Sequence, residues 1–361
     1  MPTYTNTRTL LGDQGALDAL VSDTLTILAD DTVQVLRSSA MNRRRQLQEV
    51  YLPALTRMAT DVFNGCTSLK KVYIGLNSES VVQMSSNINA DYFPGHALLY
   101  VPDALVTSYR ENNRYASIRH RIFGVSDEGK YEWDDSEIAD SWDTILANVQ
   151  NGTAATIYRL GQYKRLDLYS FGNIEFQIIG INEDDLASGS GKAQLTWFPR
   201  SAVPSTIHRM NPSLSGTTPG TGAIGGMAYC EGQTWLDETV FPEIPEAVRA
   251  AIKSVRKYTR GYDTSGALNT DMVSTHKLFV PSVHEFSPLS GNAETMGPIY
   301  PIAFTGQTTR ARRQTNGSST VSYWTRTAYS QGNFYYINSN GAVTSSWNAA
   351  NTGNLVFGFC T

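Results

Sequence analysis

Three short segments in the first third of the chain share one pattern: Val50-Tyr51-Leu52-Pro53, Val72-Tyr73-Ile74-Gly75 and Leu99-Tyr100-Val101-Pro102. The first two lie 22 residues apart, and the match runs upstream. It pairs Leu47 with Leu69, Asn42 with Asn64, Met41 with Phe63, Leu36 with Met58 and Val33 with Leu55. The third copy follows after 27 residues, which places an insertion around 77–89. A period in the low twenties with one short alternating strand per turn predicts a solenoid of parallel strands. In each strand the flanking aliphatic residues, such as Val72 and Ile74, are expected to point inward. Tyr51, Tyr73 and Tyr100 then point outward as a ladder along one face, either a solvated or intersubunit strand face or a binding surface. So few repeats need a cap at each end. Leu10, Leu11, Leu17, Leu20, Val21, Leu25 and Leu28 have a partly helical spacing that suits one cap, and Leu105, Tyr109, Tyr115, Ile118 and Ile122 suit the other.

The 361 residues suffice for two or three domains. Residues 126–140 are acidic and polar with few core candidates, which reads as a linker between a module over 1–125 and a larger domain over 141–361. In the larger part, Trp142 to Val149 reads as a helix, Ile174 to Ile181 as a strand and Pro245 to Tyr258 as an amphipathic helix with Val248, Ala251, Ile252 and Val255 on one face. Leu278 to Pro281 reads as a short strand. Val321 to Phe359 reads as several strands with tight turns at Asn340-Gly341 and Thr352-Gly353.

A net charge of -4 from 29 basic and 33 acidic residues supplies no global field for nucleic acid or an anionic membrane. No stretch approaches 18 apolar residues, so no membrane span is expected, and residues 1–20 lack the pattern of a signal peptide. Cys66, Cys230 and Cys360 form no C-x-x-C spacing, which argues against a disulfide framework and a zinc site. Cys66 reads as a small core residue, and whether Cys230 and Cys360 approach each other stays open. His96, His120, His208, His276 and His284 form no tight metal-binding spacing. The Gly-rich run 220–226 lacks the strand-then-helix context and the Lys-Ser/Thr of a phosphate-binding loop. No G-x-S-x-G elbow is present, and the basic cluster 308–313 reads as a solvated loop. No catalytic residue, metal ligand or cofactor is assigned from the sequence.

The segment FNGCTSLKKVYIG (63–75) resembles the leucine-rich repeats of BspA-type bacterial surface antigens. Residues 141–361 resemble a family of C-type-lectin-like domains at the C-termini of phage and bacterial surface proteins. The resemblance rests on features in order: Gly161-Gln162-Tyr163-Lys164, the 174–181 strand, Ala193 to Trp197, His208-Arg209-Met210-Asn211 and the glycines of 220–226. It continues through Val255, Lys257-Tyr258, Val280-Pro281-Ser282 with Glu285, Tyr323-Trp324 with Arg326, and Gly358-Phe359-Cys360. The implied fold class is α+β, a short leucine-rich-repeat-like module followed by a C-type-lectin-like domain. This broad fold includes the variable receptor-binding proteins of diversity-generating retroelements. It also hosts the formylglycine-generating enzyme, but Cys230 and Cys360 sit in no recognisable catalytic motif.

No Asp, Glu or Lys follows Glu294, and residues 321–361 hold nine aromatic residues and six Asn. That palette of rigid aromatic area and adaptable amides suits a recognition surface. The expected ligand-binding residues are Tyr329, Asn333, Phe334, Tyr336, Asn338, Asn340, Trp347, Asn348 and Asn351, with Asn340 equally suited to forming a turn. Trp324 and Phe357 are expected in the core, with Arg326 and Glu285 supporting the fold. The resemblance implies adhesion to a host-cell surface protein or glycan, and attachment to other virion proteins through the N-terminal module. It further implies a homo-oligomer, with a trimer favoured, on a virion tail or surface or on a bacterial cell surface. The alternative is a structural component whose aromatic face packs on neighbouring subunits.

Overall fold

The structure, a computed structural model, describes residues 26–361 apart from 89–91, 95–96, 130–132, 205, 215, 287–293, 301–313 and 317–318. The protein mixes helices and strands throughout, and its chain forms two compact units that divide after Gly129.

The first unit carries β1 (Ile27–Ala29), β2 (Val35–Leu36), β3 (Glu49–Leu52), β4 (Arg57–Met58), β5 (Lys71–Ile74), β6 (Gln83–Met84) and β7 (Leu98–Val101). Helix α1 (Val106–Glu111) and β8 (Ile122–Gly124) follow. All pairings are parallel, in two ladders ordered β1-β3-β5-β7-β8 and β2-β4-β6. The repeat is written into the register: Val50 pairs Val72, Tyr51 pairs Tyr73 and Leu36 pairs Met58, each an offset of 22. From Arg57 to Gln83 the offset is 26, and from Lys71 to Leu98 it is 27, so most of the insertion precedes β6. Every aligned aliphatic residue of the repeat is buried between the ladders, together with Cys66, whose thiol donates to the Met41 carbonyl at 2.8 Å. Gly75 stands where the other copies have proline because a Cβ there meets Val82 Cγ2 at 2.8 Å at a φ of +59°.

The tyrosine ladder exists, but it does not face solvent as the alternation implied. Ring centroids are 5.6 Å apart from Tyr51 to Tyr73, 4.9 Å from Tyr73 to Tyr100 and 6.5 Å from Tyr100 to Phe123. Tyr73 and Tyr100 are only 5% and 0% exposed. Phenol rings are mostly apolar surface, so stacking and covering them is favourable once each hydroxyl is satisfied. The turn Val125–Asp127 brings Glu128 back to accept the Tyr73 hydroxyl and to lie 3.5 Å from Lys71.

The C-terminal cap forms from α1 and the 3-10 helix Asn113–Arg121, which bury Tyr109, Tyr115 and Ile118. Tyr109 Oη accepts from the Val82 amide at 2.9 Å, and the Tyr115 hydroxyl donates to the Val82 carbonyl at 2.8 Å. Ile122, expected on the helical face, instead opens the fifth strand of the larger ladder. Of the other expected cap, Leu28 is buried in β1, and the remaining residues lie outside the described ones.

The second unit runs through α2 (Trp142–Gln150), α3 (Ala154–Ile157), β9 (Tyr163–Leu168), β10 (Gly172–Ile181), β11 (Leu195–Pro199) and β12 (Ile207–His208). It continues with α4 (Glu231–Trp235), α5 (Glu246–Ala251), β13 (Val255–Tyr262), β14 (Leu268–His276), β15 (Leu278–Phe279) and α6 (Val283–Phe286). The last strands are β16 (Gln314–Asn316), β17 (Ser319–Val321), β18 (Tyr323–Ser330), β19 (Asn333–Ile337), β20 (Val343–Asn348), β21 (Gly353–Asn354) and β22 (Gly358–Cys360). One sheet has the order β15-β22-β11-β10-β9, a second β12-β21-β18-β19-β20, and β13-β14 is a long hairpin. Phe198, Phe279, Phe286, Tyr323, Ile337 and Val356 belong to one core cluster. The stretch expected as a linker is partly structured: Ile138 is buried and its amide donates to Tyr163 O at 2.8 Å. Cys230 and Cys360 are buried free thiols.

The helix expected over 245–258 is wrong beyond Ala251, because Val255 begins an eight-residue strand. The inward positions of β13 are Val255, Lys257 and Thr259, all fully buried. Two of the three are polar, so the strand's period of two does not show as hydropathy.

Candidate functional site

The C-terminal strands build an aromatic platform. Successive residues on a strand alternate faces, so Thr344 and Trp347 on β20 would ordinarily oppose each other. Ser346 takes a φ of 75°, and the register to β19 shifts between Phe334 and Tyr336. This bulge returns Trp347 to the face of Tyr336 and Thr344. Trp347 then stacks on Trp324, with centroids 4.1 Å apart and planes at 24°, and lies 4.8 Å from the Tyr336 ring. Trp324 is the buried floor, its Nε1 donating to His208 O at 3.0 Å. Gly353 is required here: a Cβ would lie 2.7 Å from Trp347 Cζ2 and 2.9 Å from Trp324 Nε1.

The expected binding residues divide accordingly. Tyr336 and Trp347 are half-buried on one face, where Asn338 Nδ2 donates to Thr344 Oγ1 at 3.1 Å. Asn333 pairs with Asn348 across β19 and β20. Asn338 also accepts from the amides of Asn340 and Ala342, and Asn348 from that of Ala350, so both amides shape turns. Asn340 and Asn351 are exposed at turns. Tyr329 is exposed but packs edge-on against Tyr335, which alternates away from Tyr336. Phe334 is a correction: it is 0% exposed and packs against Trp324, 6.3 Å between centroids. It points to the same face as Tyr336 and opposes Trp347 in the register, but is fully covered. Thr344 was missed because the bulge conceals which β20 residues share the platform. Trp324 and Phe357 lie in the core as expected.

Beneath this sheet lies a buried ionic network. Arg326 donates to both Glu285 carboxylate oxygens at 2.7 Å, and Lys257 Nζ lies 2.5 Å from Asp184 Oδ1 and 3.0 Å from Glu285 Oε1. Tyr300, Thr196 and Cys360 also hydrogen-bond to Asp184. Two carboxylates thus face two cations with their remaining valences occupied, the condition under which buried charge is tolerable. Glu285 further caps α6, accepting from the Ser282 amide while its own amide donates to Ser282 Oγ. Arg326 and Glu285 therefore support the fold. Lys257 stood only among the ordered motifs of the resemblance and Asp184 carried no sequence signal, since charge buried on a strand resembles charge on a surface.

A pocket of about 440 Å³ opens beside α4, lined by Tyr229, Gln233, Asp237, Val273, Ser274 and His276 among others. Ser274 Oγ lies 2.6 Å from His276 Nε2, the spacing of a nucleophile and its base. The surrounding field has the wrong sign for that chemistry. Burial, reinforced by Arg326 and Lys257, pushes the imidazole down to about 3, so it resists the proton a general base must take. Among the described residues, no group of three or more His, Cys, Asp or Glu is placed to hold a metal ion.

These shifts set a pH dependence. The unfolded chain protonates His276 near 6.5, whereas the folded one does so only near 3, so stability present above pH 6.5 falls as pH drops through that interval. Burial alone would raise Glu285, but Arg326 and Lys257 outweigh it and hold the carboxyl at about 2 instead of 4.5. It adds a loss of the same sign below pH 4.5. His276→Gln is expected to flatten the decline between pH 6.5 and 4.5, read from urea midpoints by tryptophan fluorescence. An unchanged slope would contradict the assignment.

A family model described as a domain of unknown function (DUF6273) matches residues 225–355, a stretch containing the platform strands and the pocket. No curated protein and no solved structure matches the chain. What fold and site define is a two-unit α+β protein with an aromatic platform on the second unit. Among the described residues no helix is long and apolar enough to cross a membrane.

Proposed function

We propose that this chain is a receptor-binding protein that adheres through the Tyr336–Trp347 platform to a host-cell surface protein or glycan. The observation that carries the reading is the mounting of Trp347: a half-buried indole stacked on a buried one, with Tyr336 beside it and the hydrogen-bonded Asn338–Thr344 pair on the same face. A rigid aromatic with adaptable hydrogen-bonding neighbours yields contact area at little entropic cost. The lack of Asp, Glu and Lys after Glu294 leaves this region free of the most strongly hydrated side chains. The assignment of the units as a leucine-rich-repeat-like module and a C-type-lectin-like domain belongs to the same proposal. The 22-residue parallel register and the ordered motifs of 161–360 support it. We further place the protein on a phage tail or a cell surface, retroelement-diversified at its C-terminal loops, with the first unit attaching it or ordering a homotrimer.

Labelled wild type is expected to bind at least one strain in a bacterial panel. Tyr336→Ala/Trp347→Ala is expected to bind roughly 30-fold more weakly, as removal of an interface anchor does. A folded variant that binds equally well overturns the proposal. Loss of a wild-type oligomer in the variant, without loss of binding, favours subunit packing as the role of this face.

A further inference from the structure

We propose that the pocket between α4, the π-helical segment Leu236–Val240 and β14 is a second binding site, taking a ligand that carries an ammonium group on an aliphatic stem. The chemistry begins with Gln233, which is 3% exposed. Its Nε2 donates to the Leu278 carbonyl at 2.9 Å and to Asp237 Oδ1 at 3.0 Å. Both partners are acceptors, so the amide cannot be turned round, and Oε1 is left as a buried acceptor that no donor among the described residues reaches. A buried polar atom in that state is costly and calls for a donor.

Beside it stands Asp237, one residue into the π-helical segment, where the wider turn re-aims side chains. Asp237 is exposed at the pocket mouth, and partial desolvation there holds its carboxyl above the usual range, opposed by the Gln233 hydrogen bond and reinforced by Glu238. No cation among the described residues pairs with it, and the pocket lining contains no Lys or Arg. His276, the remaining basic group in the lining, is held neutral. The Tyr229 ring is 58% exposed and offers a π face, and Val273 and Met272 supply apolar wall.

An anion is excluded by the Asp237 charge. A neutral sugar hydroxyl would satisfy Gln233 Oε1 but draw nothing from the Asp237 charge. A metal ion would find one carboxylate, too few for a hard cation. An ammonium group draws on the carboxylate and the aromatic face together, and meets the amide oxygen once the covered Gln233 side chain shifts toward the pocket.

The test titrates the full chain, by NMR or calorimetry, with Nα-acetyl-lysine N-methylamide, its uncharged norleucine counterpart, methyl glucoside and CaCl2. Free butylamine is run alongside to separate a small amine from a lysine side chain as the source. The lysine amide or butylamine is expected to bind saturably and the norleucine amide at least tenfold more weakly. Asp237→Asn, which keeps the Gln233 hydrogen bond and the fold, is expected to weaken amine binding at least tenfold. Tyr229→Ala is expected to weaken it less. Equal binding of the norleucine amide, binding of methyl glucoside or Ca2+ alone, unaltered affinity in folded Asp237→Asn, or no saturable amine binding each overturns the proposal. Because Tyr336 and Trp347 do not line this pocket, the result is independent of the adhesion reading.

Discussion

Glu285→Ala is expected to lower the thermal midpoint of the second unit by roughly 10 °C. The carboxylate is buried and answers two buried cations, Arg326 at 2.7 Å and Lys257 at 3.0 Å. Truncation removes the only carboxylate ion-paired with Arg326 among the described residues, leaving Asp184 on Lys257 and the more distant Glu294 to offset two buried cations, and α6 loses its cap. Breaking a buried pair in this way costs about 3–5 kcal/mol, and a unit of this size loses about 2–4 °C per kcal/mol. All six tryptophans lie in the second unit, so indole fluorescence follows its unfolding alone. The control is Arg165→Ala, which removes pairs to Glu175 and Glu137 made by a 53% exposed arginine, where solvent screening leaves little net stabilisation. If the two variants melt together, the network is not what anchors the strands beneath the platform.

Gly353→Ala is expected to have the second large effect, on binding more than on folding. A methyl group at this position overlaps the Trp347 ring and reaches Trp324 Nε1 at 2.9 Å. Overpacking of this kind costs about 1–3 kcal/mol, and Trp347 at the half-exposed edge yields before the buried Trp324 does. The indole is lifted off its floor, so adhesion should fall at least about tenfold, with a matching change in near-ultraviolet circular dichroism. Retained binding with an altered spectrum would mean that the position of Trp347 does not matter to the ligand.

The contrast between the two units explains what a sequence reader can see. The solenoid register was legible because its inward positions are uniformly apolar and repeat at one offset, so Val50, Val72 and Leu99 align without any three-dimensional information. The turn after Asn338 was legible because Gly341, at a φ of 82°, needs its residue type. The burial of Tyr73 and Tyr100 was not, since what covers a strand face depends on segments distant in sequence. The strand at 255–262 was hidden by its buried Lys257 and Thr259. On the platform the aromatic residues were visible but their division was not. One left-handed residue, Ser346, decides which side Trp347 takes, and Ser is not a residue type that announces positive φ. The pocket joins Gln233 and Asp237 to a strand some 40 residues away, with no shared motif.

The central claim is that the Tyr336–Trp347 face meets the partner, and hydroxyl-radical footprinting of the chain free and bound to the cells it adheres to tests it most directly. The expected result is protection of Tyr336 and Trp347 on binding, with Tyr169, 67% exposed in the same unit, oxidised equally in both states. Protection at Tyr169 with Tyr336 and Trp347 unchanged, or a platform already protected in the free protein at high concentration, would contradict it.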